Sequence, residues 1–467
     1  MNHNIAFTLT KSDDQDITKI DNKSTFLDIL LFLCLVGLPS NIFGIVNPAW
    51  FYVPGLFDFR ILFIIFSTLL LIFMLFRWRI LLTLPAGVWL LFIAAYAAVQ
   101  FIFSASQFGF TDAFKVFRYY CLPIVTIGPL LYTLTLQKDR QLRLIRWVFI
   151  ATVLQGIFYI LHHLGFSIFY SEVHELIYFG AGTLQRYNHA FPTYTLLVMN
   201  AALLFIFFQN KWHHAFYVIV LALVIMLYAT RSLIICAAFS MLFLYALTLV
   251  KQGGKPSAGI GIGAIFVILA SVLFVMLFPQ YPEFIAERFL EIAGPEGLRS
   301  APNYNKRILM VEIATYDMAN LKQMLFGHGY EFRLLYDYLP GNLFTELSMQ
   351  GDAPMAGLLF TEGFVGVFLR AMPFIIFLFI HMRLFLKSQS SEDLIISSLV
   401  IVTISGIALT WLQTTALRDI PFSLLPIMLL HSLHSCNKIE SVCSEKVTSE
   451  GDQFSPPISV ARHIKHQ

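Results

Sequence analysis

The sequence predicts an all-α fold: a polytopic membrane helix bundle of about twelve transmembrane helices, with one large, partly helical extracytoplasmic loop. Three observations carry this expectation. Of 467 residues, 58% are hydrophobic and only 13% charged, and the mean hydropathy is +0.73, whereas a soluble domain carries about 25% charged residues. Apolar stretches long enough to span a bilayer, or nearly so, recur along the chain. The basic residues also segregate to one side of successive stretches.

The apolar stretches lie near residues 26–46, 61–76, 83–103, 121–136, 147–164, 192–208, 215–229, 233–250, 260–278, 355–380, 394–411 and 420–434. Met1–Ser24 is polar, with Asp13, Asp14, Asp16 and Asp21, and lacks the early apolar core of a cleavable signal. The first apolar segment is therefore expected to stay as an anchor. With the N-terminus in the cytoplasm, more than half of the 31 Lys and Arg residues fall inside. They concentrate in brief connections such as RWR (77–79), KDRQLRLIR (138–146), KQGGK (251–255) and MRLFLK (382–387). Short loops are where the positive-inside rule applies, so both termini are expected in the cytoplasm.

This gives a cytoplasmic tail over 1–25, membrane helices over 26–278, a large loop over 279–354, further membrane helices over 355–434, and a second tail over 435–467. No repeat relates the two halves, which argues against the internal symmetry of many transporters. Cys34, Cys121 and Cys236 sit in or beside apolar runs and read as buried thiols, while Cys436 and Cys443 in the tail lack zinc-site spacing.

Within the large loop, Ile308, Val311, Tyr316, Met318 and Leu321 form an apolar stripe at helical spacing. Lys306, Glu312, Asp317, Asn320 and Lys322 face the other way, so one amphipathic helix is expected over 305–325, stopped by Gly327. An earlier short helix is expected over Pro282–Ile292.

The candidate chemistry centres on outward arginines beside apolar segments. Arg186 lies in LQRYNHAFPTY, Arg231 in the tight turn YATRSLIIC, Arg118 in FKVFRYY, and Arg307 at the start of the loop helix. A guanidinium stays charged and forks onto phosphate oxygens, which suits a lipid-linked diphosphate. The alternative is interfacial snorkelling. Glu362, in LLFTEGFVG, is a costly intramembrane carboxylate that is either functional or paired. Arg370, eight residues on, would stand about 12 Å away along one helix, which argues against direct pairing. Asp352 precedes that helix and suits either a functional acid or a dipole cap. His328, in LFGHGYEF, is a titratable group or simply a turn residue. No phosphate-loop, metal-cluster or serine-hydrolase signature appears, and nothing points to nucleic acid.

Four passages together resemble the O-antigen polymerase and O-antigen ligase superfamily. RYNHAFPTYTLLVMNAALL resembles its outward arginine segment, and YATRSLIICAAFSML its Thr-Ser-Arg-type turn into a helix. NKRILMVEIATYDMANLKQMLFGHGYEF resembles its loop helix, beginning with Arg and ending in Gly-x-Gly; APMAGLLFTEGFVGVFLRAMPFII resembles the helix after the loop. The likeness covers about residues 110–380. It implies a GT-C-type, metal-independent, inverting glycosyltransferase of the bacterial inner membrane that needs no cofactor. Its donor and acceptor would be undecaprenyl-diphosphate-linked glycans at the periplasmic face, with a chain-length regulator as a candidate partner.

By position, Arg186, Arg231 and Arg307 match the family's important arginines, Arg231 and Arg307 in catalytic roles. Arg186, Arg118, His328 and Glu362 are expected to bind substrate. The ligase branch carries a His-Asn pair where this chain has Gly351–Asp352–Ala353–Pro354. Asp352 is then the candidate base, and the polymerase branch is favoured over a ligase. A transporter or lipid flippase is the reading from another class.

Overall fold

A computed structural model describes residues 22–37, 60–166, 173–179, 182–187, 192–209, 211–251, 258–293, 320–330, 354–388, 390–409 and 416–432, with isolated residues at 168, 253, 308, 311 and 312. Arg307, Asp352, residues 1–21 and the C-terminal tail lie outside these residues, and the last residues of the expected N-terminal tail, from Asn22, already belong to the first helix.

Every apolar stretch of the sequence contains helix. In chain order the helices are α1 (Asn22–Phe32, continued by a π turn over Leu33–Gly37), α2 (Arg60–Phe76), α3 (Trp78–Leu81), α4 (Gly87–Phe108), α5 (Phe110–Val125) and α6 (Ile127–Leu134). Next come α7 (Lys138–His163), α8 (Pro192–Gln209), α9 (Ala215–Tyr228), α10 (Arg231–Lys251), α11 (Ala258–Leu277) and α12 (Tyr281–Ala293). The last are α13 (Leu321–Phe326), α14 (Pro354–Lys387), α15 (Ser391–Leu409) and α16 (Ile420–Ser432).

Five of them, α4, α7, α10, α14 and α15, are long and apolar enough to cross a bilayer. A sixth crossing is added if α11 and α12, bent by 110° at their junction, count as one broken span. The rest are shorter apolar helices. Large side chains such as Leu69, Phe92, Ile102, Leu242, Ile265, Met276, Phe368 and Phe379 stand exposed on the bundle surface. A soluble protein would bury such a belt; here lipid is its solvent. The protein is a multi-pass helical membrane protein.

Several expected boundaries move. The fourth apolar stretch begins earlier and is broken: α5 starts at Phe110 and contains Pro123, and α6 follows after Thr126. A proline removes a ladder hydrogen bond, which favours a break nearby. Arg118 accordingly lies within α5, not in a connection before it. The basic stretch 138–146 is likewise the opening of α7 rather than a loop. Its Arg140 donates to Asp28 through Nε (2.8 Å) and Nη2 (2.5 Å), and Arg143 donates through Nη1 (3.1 Å). Asp28 is fully buried, so these bonds fasten α1 to α7.

The helix expected over 305–325 is not continuous. Asn320 is extended (φ −95°, ψ 124°) and caps a separate short helix, its side chain accepting the Lys322 N–H at 3.0 Å. An Asn side chain satisfies an orphan helix donor in this way, which is why the chain restarts there. The expected Gly327 stop is present (φ 73°), and the short helix expected from Pro282 runs over Tyr281–Ala293.

One feature joins the helices that periodicity did not announce. Val173–Phe179 and Gly182–Tyr187 pair as an antiparallel hairpin, with Glu175 opposite Arg186. Its second strand lies against α9.

The interior has two main apolar cores. One joins Leu90 and Ile93 of α4, Leu130 and Leu131 of α6, Phe374 and Phe377 of α14, and Leu424 and Leu425 of α16. The other joins Leu203 and Leu204 of α8, Leu221 of α9, Leu244 of α10, and Leu399 and Val402 of α15. Cys34 and Cys236 are buried and Cys121 is partly so, as the sequence suggested.

Candidate functional site

Among the described residues, a dense buried polar network lies where α14 loses its helical path. Gly363 has φ 66° and ψ −168°, a backbone region essentially reserved for glycine. A Cβ here would collide with the Gly327 backbone nitrogen and the Leu325 carbonyl oxygen. In an unbroken helix the carbonyls of Phe360 and Thr361 would accept from residues 364 and 365. Here they accept from the turn that follows α13: His328 N–H to Phe360 O at 2.8 Å, and Gly329 N–H to Thr361 O at 3.1 Å. The turn docks so closely that a Cβ on Gly327 would sit 2.6 Å from the Thr361 carbonyl.

Helix α4 supplies the remaining partners from one face. Tyr96, Gln100 and Ser104 are spaced by four residues and therefore stack along one side. The Tyr96 hydroxyl donates to the Glu362 carbonyl oxygen (2.7 Å). Gln100 Nε2 donates to the Phe326 carbonyl (2.7 Å) and to the Tyr96 oxygen (2.8 Å). Ser104 Oγ donates to the Gln100 carbonyl and accepts the Tyr330 N–H, both at 2.7 Å. Backbone groups released by the break are thus satisfied inside the protein, as a lipid-embedded chain requires.

At the centre, Glu362 and Arg370 form a two-pronged ion pair. Arg370 Nε donates to Oε2 at 2.8 Å and Nη2 to Oε1 at 2.6 Å. Both side chains are 1% exposed. This corrects the expectation that the two stand too far apart. The 12 Å separation assumed a regular helix, and the bend at Gly363 together with the long arginine side chain closes it. Arg370 Nη1 also donates to the carbonyls of Leu417 and Arg418, each at 3.3 Å. The Tyr330 hydroxyl donates to Glu362 Oε1 at 2.7 Å. Phe117 and Tyr120 of α5 pack on the Tyr330 ring, at 5.0 and 5.3 Å between centroids. A buried pair survives only when further hydrogen bonds satisfy it, and this one has them.

Two of the residues expected to bind substrate lie in this joint. Glu362 is buried, with both carboxylate oxygens engaged by Arg370 and Tyr330. His328 is only 5% exposed and stacks on Phe360, with centroids 4.5 Å apart at 11°. It is a packed residue of the joint and not a surface one.

Of the candidate arginines, Arg231, Arg186 and Arg118 fall on described elements. Arg231 is the first residue of α10 and half-buried, reached from α9 through Ala229, which adopts a left-handed conformation (φ 50°). The tight turn expected there is present. Leu227 and Ala229 share an apolar cluster with Phe278, Tyr281 and Phe284, so the start of α10 lies beside the start of the large loop. Arg186 is on the hairpin and Arg118 in α5. The structure brings His328 and Glu362 together and puts Arg231 in a different cluster.

Sequence reasoning missed Tyr330, Tyr96, Gln100 and Ser104. Gln100 and Ser104, four apart in an otherwise apolar span, were a readable signal of a polar face. Tyr330 carried none. Compared with known proteins, the chain matches no family model and no curated protein.

Proposed function

We propose that this protein is an O-antigen (surface polysaccharide) polymerase of the bacterial inner membrane. It would join undecaprenyl-diphosphate-linked repeat units at the periplasmic face. The observation that carries this reading is the joint itself. The Gly-His-Gly turn ending the loop helix and the Glu-Gly of the following helix are two separate passages of the resemblance, and they meet in one hydrogen-bonded unit. Such a joint ties the turn at residues 327–330 to the following helix, which suits an enzyme that must hold its catalytic parts in register.

In this reading the chain crosses the membrane about twelve times, with both termini cytoplasmic. An acceptor sugar hydroxyl attacks the donor anomeric carbon. The new C–O bond forms as the bond to the lipid diphosphate breaks, and the diphosphate leaves with the electron pair. Arg231 and Arg307 stabilise that growing charge, while Arg186 and Arg118 bind the substrates. Asp352 takes the hydroxyl proton. Glu362 and His328 act at a distance, as positioning residues that hold the loop. A ligase or related transferase of lipid-linked glycans would use the same chemistry with a different acceptor.

The test is glycan length in a deletion strain. Single-repeat surface glycan supports a polymerase; loss of surface transfer while polymer accumulates on its lipid indicates a ligase. Arg231→Ala and Arg307→Ala should each abolish long chains at unchanged protein level. Lysine at either position should restore them only in part, because it lacks the fork. Normal chain length in both stable variants would overturn the arginine assignment.

A lipid flippase is a second reading, favoured by one observation. A broken helix with a buried ion pair is also how transporters build sites within the membrane. Accumulation of unpolymerised units on the cytoplasmic side after deletion would select it.

A further inference from the structure

The turn after α13 does more than touch α14; it stands in for part of it. In an α-helix each N–H closes on the carbonyl four residues back, so Phe360 and Thr361 would receive the N–H groups of Phe364 and Val365. They receive instead those of His328 and Gly329, also consecutive and in the same order, at 2.8 and 3.1 Å. Peptide dipoles run along a helix axis, so the last carbonyls of a helix point onward along it. The turn therefore occupies the place that the next turn of α14 would take if Gly363 were helical. Gly363 can take either path, because glycine enters both the left- and the right-handed region without a Cβ clash.

The ion pair depends on the same choice. Glu362 lies before the bend and Arg370 after it, and their side chains meet at 2.8 and 2.6 Å. In a continuous α14 the two would stand about 12 Å apart along the axis, and the pair would open. Tyr330 belongs to the turn, so its bonds to Glu362 and to Ser104 Oγ are lost when the turn leaves. Bend, turn and ion pair are thus made or lost together. A state in which the turn simply departed would leave two buried carbonyls bare, which is costly within a membrane; a continuous helix closes them again.

We propose that the joint is an exchange switch between two arrangements of the same carbonyls. In one, the 327–330 turn caps Phe360 and Thr361, α14 is bent at Gly363 and the ion pair is closed. In the other, Phe364 and Val365 take over both carbonyls, α14 is continuous, the pair is open and the turn is released. Release breaks the ion pair and the Tyr330 bonds, so the bent arrangement is the resting one. The switch follows from hydrogen-bond register and does not rest on the polymerase reading.

A cysteine beneath the turn reports which arrangement is present. Ser104 is fully buried there, with its Oγ accepting the Tyr330 N–H. Full-length Ser104→Cys protein in detergent is treated with a soluble maleimide, and label on the peptide carrying residue 104 is followed by mass spectrometry. Labelling should be slow; fast labelling of this protein would overturn the proposal. Glu362→Leu with Arg370→Met removes the pair made only in the bent arrangement and should speed labelling about tenfold, the effect of one charge-assisted hydrogen bond. Phe364→Pro then decides. Proline has no N–H for Phe360 and interrupts a helix there, whereas at the first position after a bend it is tolerated. Phe364 is 48% exposed, so little packing goes with its ring. Added to the other two substitutions, it should return labelling to the slow rate. Continued fast labelling would mean a loosened joint without exchange and sink the proposal, as would slow labelling in Glu362→Leu with Arg370→Met alone. Should the proline variant fail to fold, Val365→Pro, which withholds the N–H from Thr361, makes the same test.

Discussion

Among the described residues, two fully buried carboxylates are held by arginine, and they are held differently. Glu362 meets one arginine, itself 1% exposed, with tyrosine and backbone filling the remaining positions. Asp28 is just as buried but meets two arginines that are 19% and 28% exposed. The first pair has given up water on both sides. The second leaves its guanidiniums partly exposed at the polar first turns of α7, so they are not enclosed with the acid. Burial of the acid alone therefore says little about what the pair is worth; burial of its partner decides it.

This difference can be broken experimentally. Arg370→Ala leaves an uncompensated carboxylate in a sealed site and should cost about 3–5 kcal/mol. Thermal unfolding in detergent would read this, and a loss below 1 kcal/mol would show that the site is wet. The double substitution Glu362→Leu with Arg370→Met removes both charges and should cost less than Arg370→Ala alone. Gly363→Ala should come next, at about 3 kcal/mol. The backbone penalty at this φ and ψ is about 1–3 kcal/mol, and the added Cβ meets Gly327. Protease sensitivity of the large loop should rise with it.

Tyr330→Phe deletes one hydrogen bond to a charged group and should cost about 2 kcal/mol without unfolding the bundle. The smallest effect belongs to the other region. Asp28→Asn should cost about 1 kcal/mol in the same thermal assay, because both arginines are partly exposed and not sealed with the acid. A cost equal to that of Arg370→Ala would erase the contrast.

The helices were legible because a bilayer forces long apolar runs, and nearly every run became a helix. Their ends were less so. Polar first turns such as KDRQLR continue a helix as readily as they end one, and hydropathy does not separate the two cases. Glu362 was readable as an expensive carboxylate that needed a partner. Its partner was not, since the distance estimate required Gly363 to stay helical, and only the docking of the 327–330 turn shows that it does not. Tyr330 is separated by 32 residues from the acid it binds, with nothing local to announce the contact. The hairpin was more visible than it was taken to be. VHELIYF and TLQRY are rich in branched and aromatic residues around a Gly-Ala-Gly connection, a strand signal amid the louder membrane pattern.

The docked turn also has a consequence for chain length. Tyr330 is pinned to Glu362, and α14 begins at Pro354, about 12 Å from Glu362 along the helix. The intervening segment therefore leaves and returns at two nearly fixed points. Closing a flexible loop between fixed ends costs only about 0.6 kcal/mol more for each doubling of its length. An insertion between residues 330 and 354 should therefore cost the joint little, which thermal unfolding in detergent would read.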